Sequence, residues 1–162
     1  MSSEKRKKKQ AAIPKHPATN TLPVARLRGI DAAVTAAQLV GMSAALFGSD
    51  GVRNLVAVGC IALFMAGAAL FTWAFLIAAG RSRLEEVSVV GAFFLGDGAI
   101  GKPDRIWAYG FLAAQSIIGL AAASADPYTA MAFGILVPMF GIGAIAFLGS
   151  AHGVFRVRER SK

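Results

Sequence analysis

Charged residues in this chain fall in clusters, and the stretches between the clusters are almost wholly apolar. Four such stretches stand out, at 29–47, 54–79, 106–124 and 128–151. An α-helix needs ~20 residues to cross the hydrocarbon core of a bilayer. Lipid offers the backbone no hydrogen-bond partners, so an apolar stretch of this length satisfies its peptide groups only as a helix. The pattern predicts an all-α membrane protein, a four-transmembrane-helix bundle forming one domain over 24–152. Asn54–Ala79 is the longest stretch and carries no charge, which makes it the expected helix around which the others pack.

The polar remainder has three parts. Residues 1–23 form a basic tail in which Pro14, Pro17 and Pro23 break any regular helix, and disorder is expected there. Its Lys5, Arg6, Lys7, Lys8 and Lys9 suit anionic lipid headgroups, at ~1 kcal/mol per basic residue near the surface. No apolar run follows this cluster closely enough to read as a cleavable signal peptide. The internal loop 80–105 contains an apolar piece, 84–95, too short to span. That piece is expected at the membrane interface or folded back on the bundle. Residues 153–162 are a second basic tail.

Within the spans, Ala33, Ala37, Gly41 and Ala45 recur every fourth residue, and Gly110 and Ala114 repeat that spacing in the third span. Small residues so placed let two membrane helices approach closely. Gln38 and Gln115 are the mid-span polar groups. Pro138 removes a backbone donor and crowds the carbonyl of Gly134, so a kink is expected in the fourth span. Gln38, Gln115 and Pro138 together are candidates for lining a polar path.

Composition agrees with the pattern. Of 162 residues, 56% are hydrophobic and 16% are charged, against ~25% charged in soluble domains. A net charge of +8 in a soluble protein would suggest nucleic acid. Here the positions of the charges give topology instead. Of 17 Lys and Arg, only Arg53 falls on the side of the two short turns. Positive charge stays cytoplasmic, so both termini and the 80–105 loop are expected inside a bacterial cytoplasmic membrane.

The two hairpins also resemble each other. Aligned without a gap, Arg28 matches Arg105, and Ala36-Ala37-Gln38 matches Ala113-Ala114-Gln115. The match is compatible with chance in alanine-rich helices. If it is a true duplication, the two hairpins form a parallel repeat, in which Gln38 and Gln115 would share one depth and could face each other.

Chemistry is sparse. Gly96-Asp97-Gly98-Ala99-Ile100-Gly101 matches the dinucleotide spacing. That site needs a helix start immediately afterwards within a βαβ unit, and Lys102-Pro103-Asp104 is expected to intervene. Cys60 is the single cysteine, which excludes an intramolecular disulfide. His16 and His152 lack ligand-spaced partners. Glu85, Glu86, Asp97 and His152 are the polar residues available at the inner interface, with nothing in their spacing to make them converge. No cofactor, metal or catalytic constellation is expected.

In size and span number the chain is similar to the small multidrug-resistance transporters, which carry a carboxylate in the first span. Here Asp31 stands near the entrance of that span, with Arg28 three residues away as a ready partner. This departure argues against proton-coupled export. A closer resemblance rests on Gly80-Arg81-Ser82-Arg83, Gly134-Ile135-Leu136-Val137-Pro138-Met139-Phe140-Gly141 and His152-Gly153-Val154-Phe155. From Leu76 onward the chain resembles a family of small four-span membrane proteins of high-GC Gram-positive, actinobacterial-type bacteria. The resemblance implies origin and topology, and it brings no catalytic residues. The expected role is a non-enzymatic accessory or scaffold subunit, as a homo-oligomer or with a membrane-protein partner. The alternative is a small-solute or lipid transporter.

Overall fold

The computed structural model describes residues 23–83, 85–95 and 100–157. Residues 1–22, including the Lys5–Lys9 cluster, lie outside them, as do 96–99 of the glycine-rich motif. The fold is all-α, with four helical segments long and apolar enough to cross a membrane. In chain order these are α1 (Val24–Phe47), α2 (Asp50–Arg81), α4 (Lys102–Ala125) and a fourth span, Ala130–His152. The short α3 (Val89–Phe94) lies in the internal loop.

The helices overrun the apolar stretches at their charged ends. α1 takes in Arg26 and Arg28, and α4 takes in Lys102, Asp104 and Arg105. Long charged side chains can extend from a buried stem to a polar boundary, so charge ends the apolar run without ending the helix. Proline sets both starts, with Pro23 preceding α1 and Pro103 in the first turn of α4, where a missing N–H costs nothing. α4 thus begins directly after Gly101, and Lys102-Pro103-Asp104 belong to it rather than intervening before it. The helix enters a membrane-type bundle and not a βαβ unit, so the dinucleotide reading still fails.

The fourth span departs from the expected kinked helix. It is a 3-10 helix over Ala130–Leu136 followed by α5 (Pro138–His152). Thr129 starts the 3-10 segment, its hydroxyl accepting from the Met131 amide at 3.4 Å and donating to the Asp126 carbonyl at 2.9 Å. Pro138 has no N–H to offer Gly134, so the α pattern cannot pass through it. Instead the Val137 amide donates to the Gly134 carbonyl at 3.3 Å, in the tighter register.

This broken span, and not α2, is the centre of the bundle. α5 packs on α2, α3 and α4, and the 3-10 segment packs on α4 and α2. Glycine makes the approach close enough. A methyl at Gly143 would collide with the Gly67 carbonyl of α2, and one at Gly119 of α4 would collide with the Gly134 carbonyl. The internal loop folds back on this centre, with Gly91 and Ala92 of α3 buried. The Phe93 ring lies 5.4 Å from that of Phe71 on α2, and the Tyr109 hydroxyl of α4 donates to the Phe94 carbonyl.

The small-residue stripe lies only partly within the bundle. Ala33 and Ala37 are exposed, Gly41 is half-buried and Ala45 is buried. Gly110 meets nothing within 4 Å, and Ala114 is half-buried. The inward face of α1 is Leu27, Asp31, Gln38, Met42 and Ala45. That face runs at helical spacings of three and four and shares only Ala45 with the stripe. The buried positions of α4 include Ala108, Gln115, Gly119 and Ala122. They match Asp31, Gln38, Met42 and Ala45 shifted by the 77 residues that separate the two glutamines. The first helices of the two hairpins therefore share a burial register. Their second helices do not correspond, since α2 is continuous and the fourth span is broken.

Candidate functional site

Two apolar clusters fill the interior. One gathers Leu27, Ala74, Ala108 and Ile145 to Leu148 toward the end where α1 and α4 begin. The other gathers Met42, Ala45, Cys60, Ala122, Met131 and Val137 toward the opposite end. Between them along α1 and α4 lies a polar layer made of Asp31, Thr35, Gln38 and Gln115. Asp31 is 4% exposed and Gln115 is fully enclosed.

The layer is cross-linked. The Gln115 amide Nε2 donates to Asp31 Oδ1 at 2.8 Å and to Thr35 Oγ1 at 3.0 Å. The Thr35 hydroxyl itself donates to the Asp31 carbonyl one turn back, at 2.8 Å. Gln38 Nε2 donates to the Gln115 carbonyl at 3.0 Å and to the Gly134 carbonyl at 3.4 Å. That second acceptor is the carbonyl Pro138 cannot serve, so the break in the fourth span supplies a site for Gln38. The oxygens Oε1 of both glutamines are buried and take no hydrogen bond among the described residues.

Gln38 and Gln115 meet, as a repeat would place them, but the contact is not reciprocal. Under the 77-residue shift, Asp31 and Thr35 correspond to Ala108 and Leu112, which have no side-chain acceptors. The structure brings Gln38, Gln115 and the Pro138 break together as a closed knot across three helices, with no passage seen through it among the described residues.

Asp31 is the residue whose partner the local spacing misassigned. Its partner is Gln115, 84 positions away, while Arg28 stands 4.0 Å from Asp104 at the surface and 5.9 Å from the Trp107 ring centroid. A helix rises ~1.5 Å per residue, which puts Asp31 about 10 Å into α1 from Val24. A readable signal did exist, because Asp31 is seven residues before Gln38 and so shares its helix face.

A second polar centre closes the same end of the bundle. Arg81, the last residue of α2, donates to Glu85 Oε2 at 2.9 Å and to the carbonyls of Ser150 and Gly153 at 2.7 and 2.8 Å. Its guanidinium lies 4.9 Å from the Phe155 ring centroid. These carbonyls belong to the end of α5, where a cation is favoured by both the unpaired acceptors and the helix dipole. Glu85 and Glu86 then pair with Val157 and Arg156 as a two-residue antiparallel ladder. The arginine of Gly80-Arg81-Ser82-Arg83 and the residues of His152-Gly153-Val154-Phe155 thus meet in one clasp. Glu85 and the region of His152 do converge, on Arg81, and His152 Nδ1 and Ser150 Oγ are buried without a partner among the described residues. Asp97 lies outside the described residues.

At the opposite end Arg53 joins the two short turns. It donates to the Ala45 carbonyl near the end of α1 at 3.2 Å and stands 3.6 Å from Asp126. Among the described residues it is the one basic residue at that end, and no group of three or more His, Cys, Asp or Glu residues is placed to hold a metal.

Searches against protein-family models, curated proteins and solved structures found no match to this chain.

Proposed function

We propose that this multi-pass protein is a non-enzymatic accessory or scaffold subunit of the bacterial cytoplasmic membrane, with both ends inside. The observation that carries the reading is the outward placement of its small residues. Gly29, Gly59, Gly80 and Gly110 each face open space, and Ala33 and Ala37 are exposed. Small positions on a lipid-side surface let a further helix approach closely. The interior offers less to a passing solute, because its amide donors are committed to Asp31, Thr35 and backbone carbonyls. The basic end, including Lys5–Lys9, suits anionic lipid. The bacterial, actinobacterial-type origin rests on the residues from Leu76 onward.

The test is extraction into lipid discs followed by native mass spectrometry. A second copy or a stoichiometric partner is expected, lost in a Gly110→Leu/Ala37→Leu variant that keeps its helical content. A lone, partner-free chain in a native-like bilayer would remove the proposal.

The second reading is a small-solute or lipid transporter, and Asp31 is the observation that favours it. An ionisable residue inside a membrane helix marks a functional site more often than a packing one. Solute flux in reconstituted vesicles that is abolished in Gln38→Leu and Gln115→Leu would support it, and absence of flux would count against it.

A further inference from the structure

Asp31 is the point at which the polar layer meets the outside. A narrow cleft runs between α1, α4 and α5 from the Arg28–Asp104 pair to Asp31, past Leu27, Trp107 and Ala108. The cleft is open at its mouth and has a volume of ≈ 20 Å³, room for about one water molecule. Asp31 Oδ1 is taken by Gln115. Its second oxygen, Oδ2, receives no hydrogen bond among the described residues. We propose that Asp31 is a proton-binding site, reached by water through this cleft from the basic end of the bundle. The inference goes beyond the accessory-subunit reading and rests on the cleft rather than on it.

The chemistry of the surroundings selects the ligand. A metal cation needs several oxygens, and Gln115 turns its amide N–H edge toward Asp31. The Gln115 Oε1 points instead at Gly141, 2.8 Å from where a methyl there would stand. The Thr35 hydroxyl proton is committed to a backbone carbonyl. An organic solute is larger than the ≈ 20 Å³ that the cleft holds. A proton does: hydronium at the mouth passes a proton to Oδ2 and leaves water, and the reverse step returns it. Few charges face the site. α1 contributes Arg28 and α4 contributes Asp104, which stand 4.0 Å apart at the mouth. α5 contributes Ala144, Ile145 and Leu148, none of which titrates.

The experiment uses the full chain in lipid vesicles with one verified orientation, and it follows the buried carboxyl band by infrared spectroscopy. The expected result is a band that responds to pH on the basic side only. It should be absent in Asp31→Asn and shifted in midpoint in Gln115→Leu. Ala108→Phe, which fills the cleft while keeping Asp31, should slow the response severalfold. A band insensitive to pH, a response to the opposite side, or an unchanged rate in Ala108→Phe would each overturn the proposal. If Asp31→Asn does not fold, the two variants that retain Asp31 still decide it. The readout involves neither solute flux nor partner binding, so it stands or falls apart from both functional readings.

Discussion

α2 and the fourth span are both strongly apolar, yet 17% of the most apolar part of α2 is buried, against 61% for Ala130–His152. In water the more hydrophobic of two helices goes inside. In lipid the surroundings are as apolar as leucine, and that sorting disappears. What remains is shape. α2 turns Leu55, Met65, Trp73, Phe75 and Leu76 outward, while α5 buries Gly141, Gly143, Ala144, Ala146 and Gly149. The centre of this bundle is the segment other helices can approach most closely.

The sharpest way to break the contrast is to add the same methyls to one glycine in each setting. Gly143→Val places its side chain on the Gly67 carbonyl and is expected to cost about 3 kcal/mol, the upper end for overpacking. Gly59→Val on α2 meets open space and should stay within ~0.5 kcal/mol. Reversible unfolding in one detergent measures both, and equal losses would erase the distinction. Next is the place where α2 holds the end of the fourth span. Arg81→Gln removes charged hydrogen bonds to Ser150, Gly153 and Glu85, for a loss of about 2 kcal/mol. Proteolysis after Arg156 should accelerate as the ladder opens. A paired truncation follows. Phe147→Ala in the core should cost about 1.5 kcal/mol, mainly as lost packing, because transfer to lipid is nearly neutral. Phe75→Ala, with its ring outside, should cost almost nothing in the same assay. The smallest effect is Gln38→Leu, about 1 kcal/mol, read as faster hydrogen exchange at Val137 and Phe140 beside the released Gly134 carbonyl.

The sequence made some of this legible and hid the rest for identifiable reasons. Span number and approximate limits followed from apolar length, because backbone satisfaction leaves lipid-embedded segments little choice. The meeting of Gln38 and Gln115 followed from matching the two hairpins. The centre did not follow, because hydropathy ranked Asn54–Ala79 first and lipid does not use that ranking. The inward face of α1, with Asp31 and Gln38, was not read, and the stripe of Ala33, Ala37, Gly41 and Ala45 shares only Ala45 with it. A stripe is visible in one helix, but an inward face is decided by what the other helices bring. Asp31 was assigned to Arg28 because local spacing is readable and a partner 84 residues away is not. Arg81 carried a hint in its motif and in its i,i+4 spacing from Glu85, but its other two acceptors are the backbone carbonyls of Ser150 and Gly153, which every residue possesses and no pattern advertises.

The central position of the fourth span also has a consequence in time. Chains are made from the N-terminus, and in this one the filling of the bundle is made after its walls. While α1, α2 and α4 exist without Ala130–His152, Gln38 has no Gly134 carbonyl to reach, Gly67 has no backbone to receive, and Arg81 has no helix end to cap. During synthesis the three earlier helices therefore lack these partners, and the bundle is complete only once the fourth span is in place, with the clasp fastening behind it.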